Sequence, residues 1–142
     1  MINRLAHVTV IVRDQEEALR FYTEKLGMEK RDDRRMGEFR WLTVAPKGSD
    51  VAIVLQRPSP PFQSAEEASR MLARVGQGTT WVLETDDCRR DHETMVAAGV
   101  AFHSAPTDLP WGVSAVFEDL YGNRYNLLQP NAQARPAAHA PR

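Results

Sequence analysis

The sequence predicts an α+β fold built from two tandem β-α-β-β-β modules, and three observations carry that prediction. A strand-to-helix step near the N-terminus recurs downstream, with His7 and Thr80, and likewise Asp14 and Asp87, each 73 residues apart. Gly27 and Gly99, 72 apart, close the two helices, and LQRP at 55–58 is echoed by LLQP at 127–130. The chain has 142 residues with 42% hydrophobic and 26% charged, enough for one core and too little for two ordinary domains. The expected organisation is one domain over 1–130, with module one at 4–57, a connector at 58–78 and module two at 79–130. The stretch 131–142 (NAQARPAAHAPR) has no periodicity and is expected to be a flexible tail.

The elements follow from local chemistry. Residues 5–12 (LAHVTVIV) are rich in β-branched side chains and alternate around Val8, Val10 and Val12, which gives a strand with His7 and Thr9 on the opposite face. Asp14 with Glu17 is a capping box, and Ala18, Phe21, Tyr22 and Leu26 recur at helical spacing up to Gly27. MEKRDDRR (28–35) forms a short polar strand or loop. FRWLTVAP (39–46) and DVAIVL (50–55) are strands about a turn at Lys47-Gly48-Ser49.

PSPPFQ (58–63) pairs poorly in a sheet because proline lacks the backbone donor, so it opens the connector. Ser64 with Glu67 starts a short helix carrying Ala68, Met71, Leu72 and Val75, ended by Gly76 and Gly78. Module two repeats the order: TTWVLETDD as a strand, Asp87 as the cap of a helix, then VAFHSAP, VSAVFED and NRYNLLQP as strands.

Charge and cysteine content exclude several function classes. Lys and Arg number 18 against 19 Asp and Glu, a net charge of −1, and no stretch is basic enough to follow a phosphate backbone, so nucleic acid is not expected as a partner. Cys88 is the single cysteine; an intramolecular disulfide and a Cys-based zinc cluster are impossible, and a reducing cytoplasm is expected. MINRLAHVTVIVRD has an apolar run too short to span a bilayer and no small-residue cleavage site, so neither export nor membrane insertion is expected.

Two strings turn the repeat into a resemblance. LAHVTVIVRDQEEALRFYTEKLGM (5–28) looks like an opening strand and helix with a Phe-Tyr…Leu-Gly signature, and VFEDLYGNRYNLLQP (116–130) looks like a closing strand pair with an Asp-x-x-Gly-Asn turn. Over residues 4–130 the chain resembles the vicinal oxygen chelate superfamily of glyoxalase I, bleomycin-resistance proteins and extradiol dioxygenases. The resemblance implies an eight-stranded open half-barrel around a cup-shaped cleft. Gly122-Asn123 in that turn also has a local reason, since both tolerate positive φ in a tight hairpin.

In metal-dependent members each module supplies one ligand from its first strand and one from its last, usually His, Gln or Glu. Carried over residue by residue, the resemblance implies His7 on the first strand of module one and Thr80 at the matching position of module two, where a ligand His would be expected. Thr80 is a poor ligand because its hydroxyl stays protonated. The last-strand position of module one falls on Val54, or on Gln56 if the register slides by two, and that of module two on Asn126, which brings no negative charge. The best metal set is therefore His7, Gln56 and Asn126, and the worst is His7 alone. His7 is then either a lone acid/base or hydrogen-bond donor near neutral pH, or a polar residue left from a metal-binding ancestor.

The cleft lining implied by the half-barrel is His7, Thr9, Val54, Gln56, Thr80, Val82, Asn126 and Leu128, a neutral surface suited to an uncharged or aromatic organic molecule. Trp111 either stacks over a planar ligand or packs in the core or against a partner subunit. Along 39–44 either Arg40 or Trp41 points into the cleft, where Arg40 would hold an anion; otherwise Arg40 sits in an ion pair or at a solvated edge. Phe62, Met71 and Leu72 form a mobile cover or a dimer contact. His92 looks exposed on the second helix, His103 lies near a strand edge and His139 in the tail, without ligand spacing among them. Cys88 beside the second cap could have a lowered pKa but is expected to be a buried small residue.

The expected function is thus small-molecule binding or transformation at a degenerate metal site, most simply with no cofactor. The alternative is a metal-dependent glyoxalase-type lyase or isomerase using a divalent ion such as Ni, Zn, Mn or Fe. A dioxygenase ranks lowest, because two His and one carboxylate cannot be assembled from these positions. Unpaired sheet edges predict a homodimer.

Overall fold

The computed structural model describes residues 1–78 and 81–132. Two compact units emerge: Met1–Gly78 together with Leu120–Asn123, and Thr79–Asp119 together with Arg124–Arg142. The fold is mixed α+β with one four-stranded and one five-stranded sheet, neither closed into a barrel, and each unit carries the strand-helix-strands order expected from the repeat.

In the first unit β1 (His7–Ile11), β2 (Glu29–Met36), β3 (Phe39–Ala45) and β4 (Ala52–Gln56) lie in the order β1-β4-β3-β2. β1 and β4 run parallel, so they need a long crossover, and α1 (Gln15–Arg20) lies within it. Asp14 caps α1 by accepting the Glu17 N–H, as the capping box requires, and α1 passes into a π-helical turn over Phe21–Lys25. Gly27 at φ 71° then redirects the chain. The face that meets α1 carries Val10, Leu42, Val44 and Leu55, all fully buried together with Val12 and Tyr22. Each such side chain contributes about 1.5–3 kcal/mol of transfer free energy.

The polar segment at 28–35 proves to be a full strand, β2. It sits at the edge of its sheet and its charged side chains guard that edge against pairing with another chain. Its register against β3 shifts between Lys30 and Asp33, and Thr43 Oγ1 accepts the Asp32 N–H there. The connector helix α2 (Ala65–Ala73) is capped by Ser64, which accepts the Glu67 N–H. The Gly122-Asn123 expectation is corrected in part: Gly122 has φ 84°, but Asn123 does not take positive φ. Asn123 is instead buried, donating from Nδ2 to Ile11 O at 3.3 Å and accepting the Gly76 N–H at 3.2 Å.

The second unit contains β5 (Trp81–Glu84), α3 (Cys88–Ala97), β6 (Ala101–Phe102), β7 (Thr107–Leu109), β8 (Gly112–Glu118) and β9 (Arg124–Pro130). The order is β5-β9-β8-β6, with β7 added against β8. Ala115 and Phe117 pair with Leu127 and Tyr125, and these four form the core face, with the Phe117 and Tyr125 rings stacked at 5.4 Å. Cys88 and Met95 of α3 are buried as well. The predicted strand at VAFHSAP is only two residues long. Past His103, whose N–H still reaches Val116 O, the Ser104 hydroxyl takes over as acceptor for the Val116 N–H, and Pro106 has no donor to continue the ladder. Strand β7 was not expected from the sequence.

Candidate functional site

Strand alternation and register set the side chains of the first sheet. His7, Thr9 and Ile11 pair with Ala52, Val54 and Gln56, so all six share the face away from α1. Trp41 and Thr43 of β3 join them, since Thr43 pairs with Val54. His7 and Thr9 are exposed whereas Val54 is buried beneath them. The His7 and Trp41 rings meet edge to face, with centroids 5.3 Å apart and planes at 73°. Trp41 also pairs across the ladder with Arg34, and a cavity of about 530 Å³ is lined by Arg34, Arg35, Met36 and Trp41. Phe62 of the connector reaches the neighbouring Phe39, ring to ring at 4.5 Å, while Met71 and Leu72 are half-buried on α2.

Arg40 points the other way. The residue is 9% exposed, and on the α1 side its guanidinium gives two hydrogen bonds of 2.8 Å to the Asp33 carboxylate and one of 2.9 Å to Glu16 of α1. The hydrogen bond from Arg40 holds the Asp33 carboxyl below its ordinary value, and the same contact raises the Arg40 pKa further. Of the two alternatives read from the strand, Trp41 is therefore the residue on the face with His7, and the anion-holding expectation for Arg40 is corrected to an internal ion pair. Its carboxylate partners already occupy the fork a ligand would need.

Within the first unit the candidate metal donors His7 and Gln56 are not brought together. His7 pairs with Ala52 and Gln56 with Ile11, so they lie four residues apart along adjacent strands, about 13 Å at the usual strand rise. Val54, on the rung between them beside Thr9, offers no donor atom. In the second sheet Val82, Ser114, Val116, Asn126 and Leu128 share the face opposite the Phe117-Tyr125 core. The Ser114 hydroxyl donates to the Asn126 amide oxygen, the atom that would have coordinated an ion. Leu128 is half-buried between Glu84 and Ser114, and Val82 is 57% exposed. Thr80 lies outside the described residues, as does His139. Among the described residues no three His, Cys, Asp or Glu side chains gather as a metal site. Within the first unit, a lone imidazole and an amide about 13 Å away along the strands do not fit a resident catalytic dication.

Other sequence candidates take structural places. Trp111 is 48% exposed at the tip of the β7-β8 hairpin, where its carbonyl accepts the Asn131 N–H. Cys88 is buried, as expected, and burial pushes its thiol pKa up rather than down. His92 is half-buried and packs on Phe102 at 4.5 Å, which corrects its exposed assignment. His103 Nε2 lies 2.7 Å from Glu118 Oε2, a pairing between the residue just after β6 and strand β8 that no local sequence signal reports. Nor is the Arg34-Trp41 rung readable from the sequence, because the charged segment 28–35 reads equally as a strand or a loop and so carries no register.

Comparison with known proteins places this geometry. The model for the Glyoxalase/Bleomycin resistance protein/Dioxygenase superfamily matches residues 4–127. An uncharacterised protein of Shewanella frigidimarina is 37% identical, covering 92% of this chain and 96% of that protein. The crystal structure of UcmS2 superposes with TM-score 0.81 at 41% identity, over 90% of this chain and 98% of the other. TnmS3, an antibiotic binding protein from Streptomyces sp. CB03234, superposes with TM-score 0.75 at 35% identity, over 92% and 98%. The repeat, the two sheets and these likenesses agree, and the chain belongs to the glyoxalase/bleomycin resistance protein/dioxygenase superfamily.

Proposed function

We propose that this protein binds a small organic molecule on the first sheet, at the face shared by His7, Thr9, Trp41 and Gln56, without a resident metal. The single observation that carries the reading is the edge-to-face contact of His7 with Trp41 beside a cavity of about 530 Å³, within the ordinary range for ligand sites. The indole supplies a flat apolar surface, and the exposed imidazole and the Gln56 amide supply hydrogen bonds at its margin. The likeness to TnmS3 supports binding rather than turnover as the primary activity. In the second sheet, Asn126, Leu128 and Trp111 remain secondary candidates for contact.

The proposal includes a homodimer, supported by edge strand β5, on which Trp81 and Val82 are 39% and 57% exposed. It also includes a cytoplasmic location, supported by the single, buried, unpaired Cys88. No helix among the described residues is long and apolar enough to cross a membrane.

Thermal-shift and calorimetric titration against a panel of planar aromatic compounds tests the reading. Saturable binding by the wild-type protein, weakened about ten-fold or more by Trp41→Leu, is expected. Absence of binding across the panel, or binding indifferent to Trp41→Leu, removes it.

A further inference from the structure

We propose that the cavity beside Trp41 selects aromatic acids over their neutral counterparts, with Arg34 supplying the opposing charge. This inference rests on the small-molecule reading above and narrows its ligand to a planar ring system carrying a carboxylate or a similar anion.

The argument starts from how strand β2 uses its charges. Asp33 is committed to Arg40 through both oxygens and to Lys30 at 3.6 Å. Arg31 is committed to Glu29 at 2.8 Å and to the carbonyls of Ser49 and Pro46. Arg34 and Arg35 remain, and neither has a carboxylate within ion-pair distance among the described residues. Both line the same cavity as Trp41 and Met36.

Register then fixes which of the two works with the indole. Arg34 pairs directly with Trp41, so the two share a face with Cβ atoms about 5 Å apart, whereas Arg35 pairs with Arg40 on the α1 side. A guanidinium next to an indole suits a ligand whose ring stacks on Trp41 and whose acid group meets the guanidinium fork. Met36 adds an adaptable apolar wall. The net charge of the chain is −1, so attraction for an anion here is a local property of this strand and not of the molecule at large.

Calorimetric titration of the full chain with 2-naphthoate and 2-naphthamide, which share a ring and differ in charge, tests it. The wild-type protein is expected to bind the acid about ten-fold tighter than the amide, with the gap narrowing in 0.5 M salt. Arg34→Gln should bring the acid down to the level of the amide while changing the amide far less than the acid, and Arg34→Lys should fall between. Trp41→Leu should weaken both probes, and circular dichroism with a melting curve establishes that each variant is folded. Equal affinity of the wild type for the two probes overturns the inference, as does a preference that survives Arg34→Gln. If neither probe binds while neutral planar compounds still do, the inference falls and the binding reading stands. If nothing in the panel binds, both fall.

Discussion

His7 and Gln56 occupy one face of the same sheet four rungs apart, because β1 and β4 run parallel with His7 against Ala52 and Gln56 against Ile11. A bond to one ion requires donors within about 2–2.5 Å of a common point, which side chains separated by about 13 Å of strand cannot meet. Protein purified without chelator should therefore show the same content of Ni, Zn, Mn and Fe as its His7→Ala and Gln56→Ala variants. Stoichiometric metal that disappears in both variants would show that the two do ligate together.

Arg40 ties β3, β2 and α1 together, so its loss should register as stability and not as affinity. Arg40→Met removes charge-assisted hydrogen bonds to Asp33 and Glu16 and should cost on the order of 2 kcal/mol in urea unfolding at pH 7. The acid dependence has a definite sign. The Asp33 pKa is lowered in the folded state, so its contribution is present above its unfolded value near 4 and is lost as pH falls through the lower folded value. The difference between wild type and Arg40→Met should thus shrink as pH falls below about 4. A constant difference down to pH 2 would contradict the pairing.

Most of the fold was legible in the chain because its signals are local. Asp14, Ser64 and Asp87 each cap the helix expected from their side-chain oxygen, since a cap needs only four consecutive residues to be read. Alternation at Val8, Val10 and Val12 likewise identified the buried face of β1. The site was less legible because it depends on register, which is a property of two strands. Sequence alone makes Gln56 a candidate partner for His7, but pairing places it beside Ile11, and Arg34 gains its place beside Trp41 only through the register of β2. Asn123 had the right residue for the wrong reason: its side chain bonds to Ile11 and Gly76, contacts across long sequence separations that turn chemistry does not report.

Gly76 and Gly78 both have positive φ, 83° and 85°, but only Gly76 is also crowded. A Cβ at Gly76 would lie 2.5 Å from the backbone oxygen of Tyr121, whereas one at Gly78 would meet nothing within 4 Å. Gly78→Ala should cost about 1 kcal/mol of strain, and Gly76→Ala about 2–3 kcal/mol because backbone must also move. Denaturant midpoints of the two variants check the ranking, and equal midpoints would remove the steric component.

Trp81 and Val82 leave apolar surface on the edge strand of the second sheet, a feature that a second copy would cover. Val82→Glu places a charge on that edge and should convert a dimer to a monomer at micromolar concentration, as read by light scattering after gel filtration. A wild-type chain already monomeric under the same conditions would dispose of the dimer.

Tyr121 and Asp14 hold the 120–123 loop against the N-terminus of α1. The Asp14 N–H donates to the phenolic oxygen at 3.0 Å, and the hydroxyl faces Asp14 O at 3.1 Å and Glu17 Oε2 at 3.2 Å. Burial, with the neighbouring Glu17 and Asp14 charges adding to it, pushes the Tyr121 pKa up to about 12. A raised folded pKa means that the contribution is fully present below the unfolded value near 10 and is lost as pH rises toward 12. Urea midpoints of the wild-type protein should therefore fall between pH 9.5 and 11.5 more steeply than those of Tyr121→Phe. At pH 8 the variant should be less stable by about 1 kcal/mol, the worth of an ordinary hydrogen bond. Parallel alkaline slopes for the two proteins would mean that the phenol is not held in its neutral form by this contact.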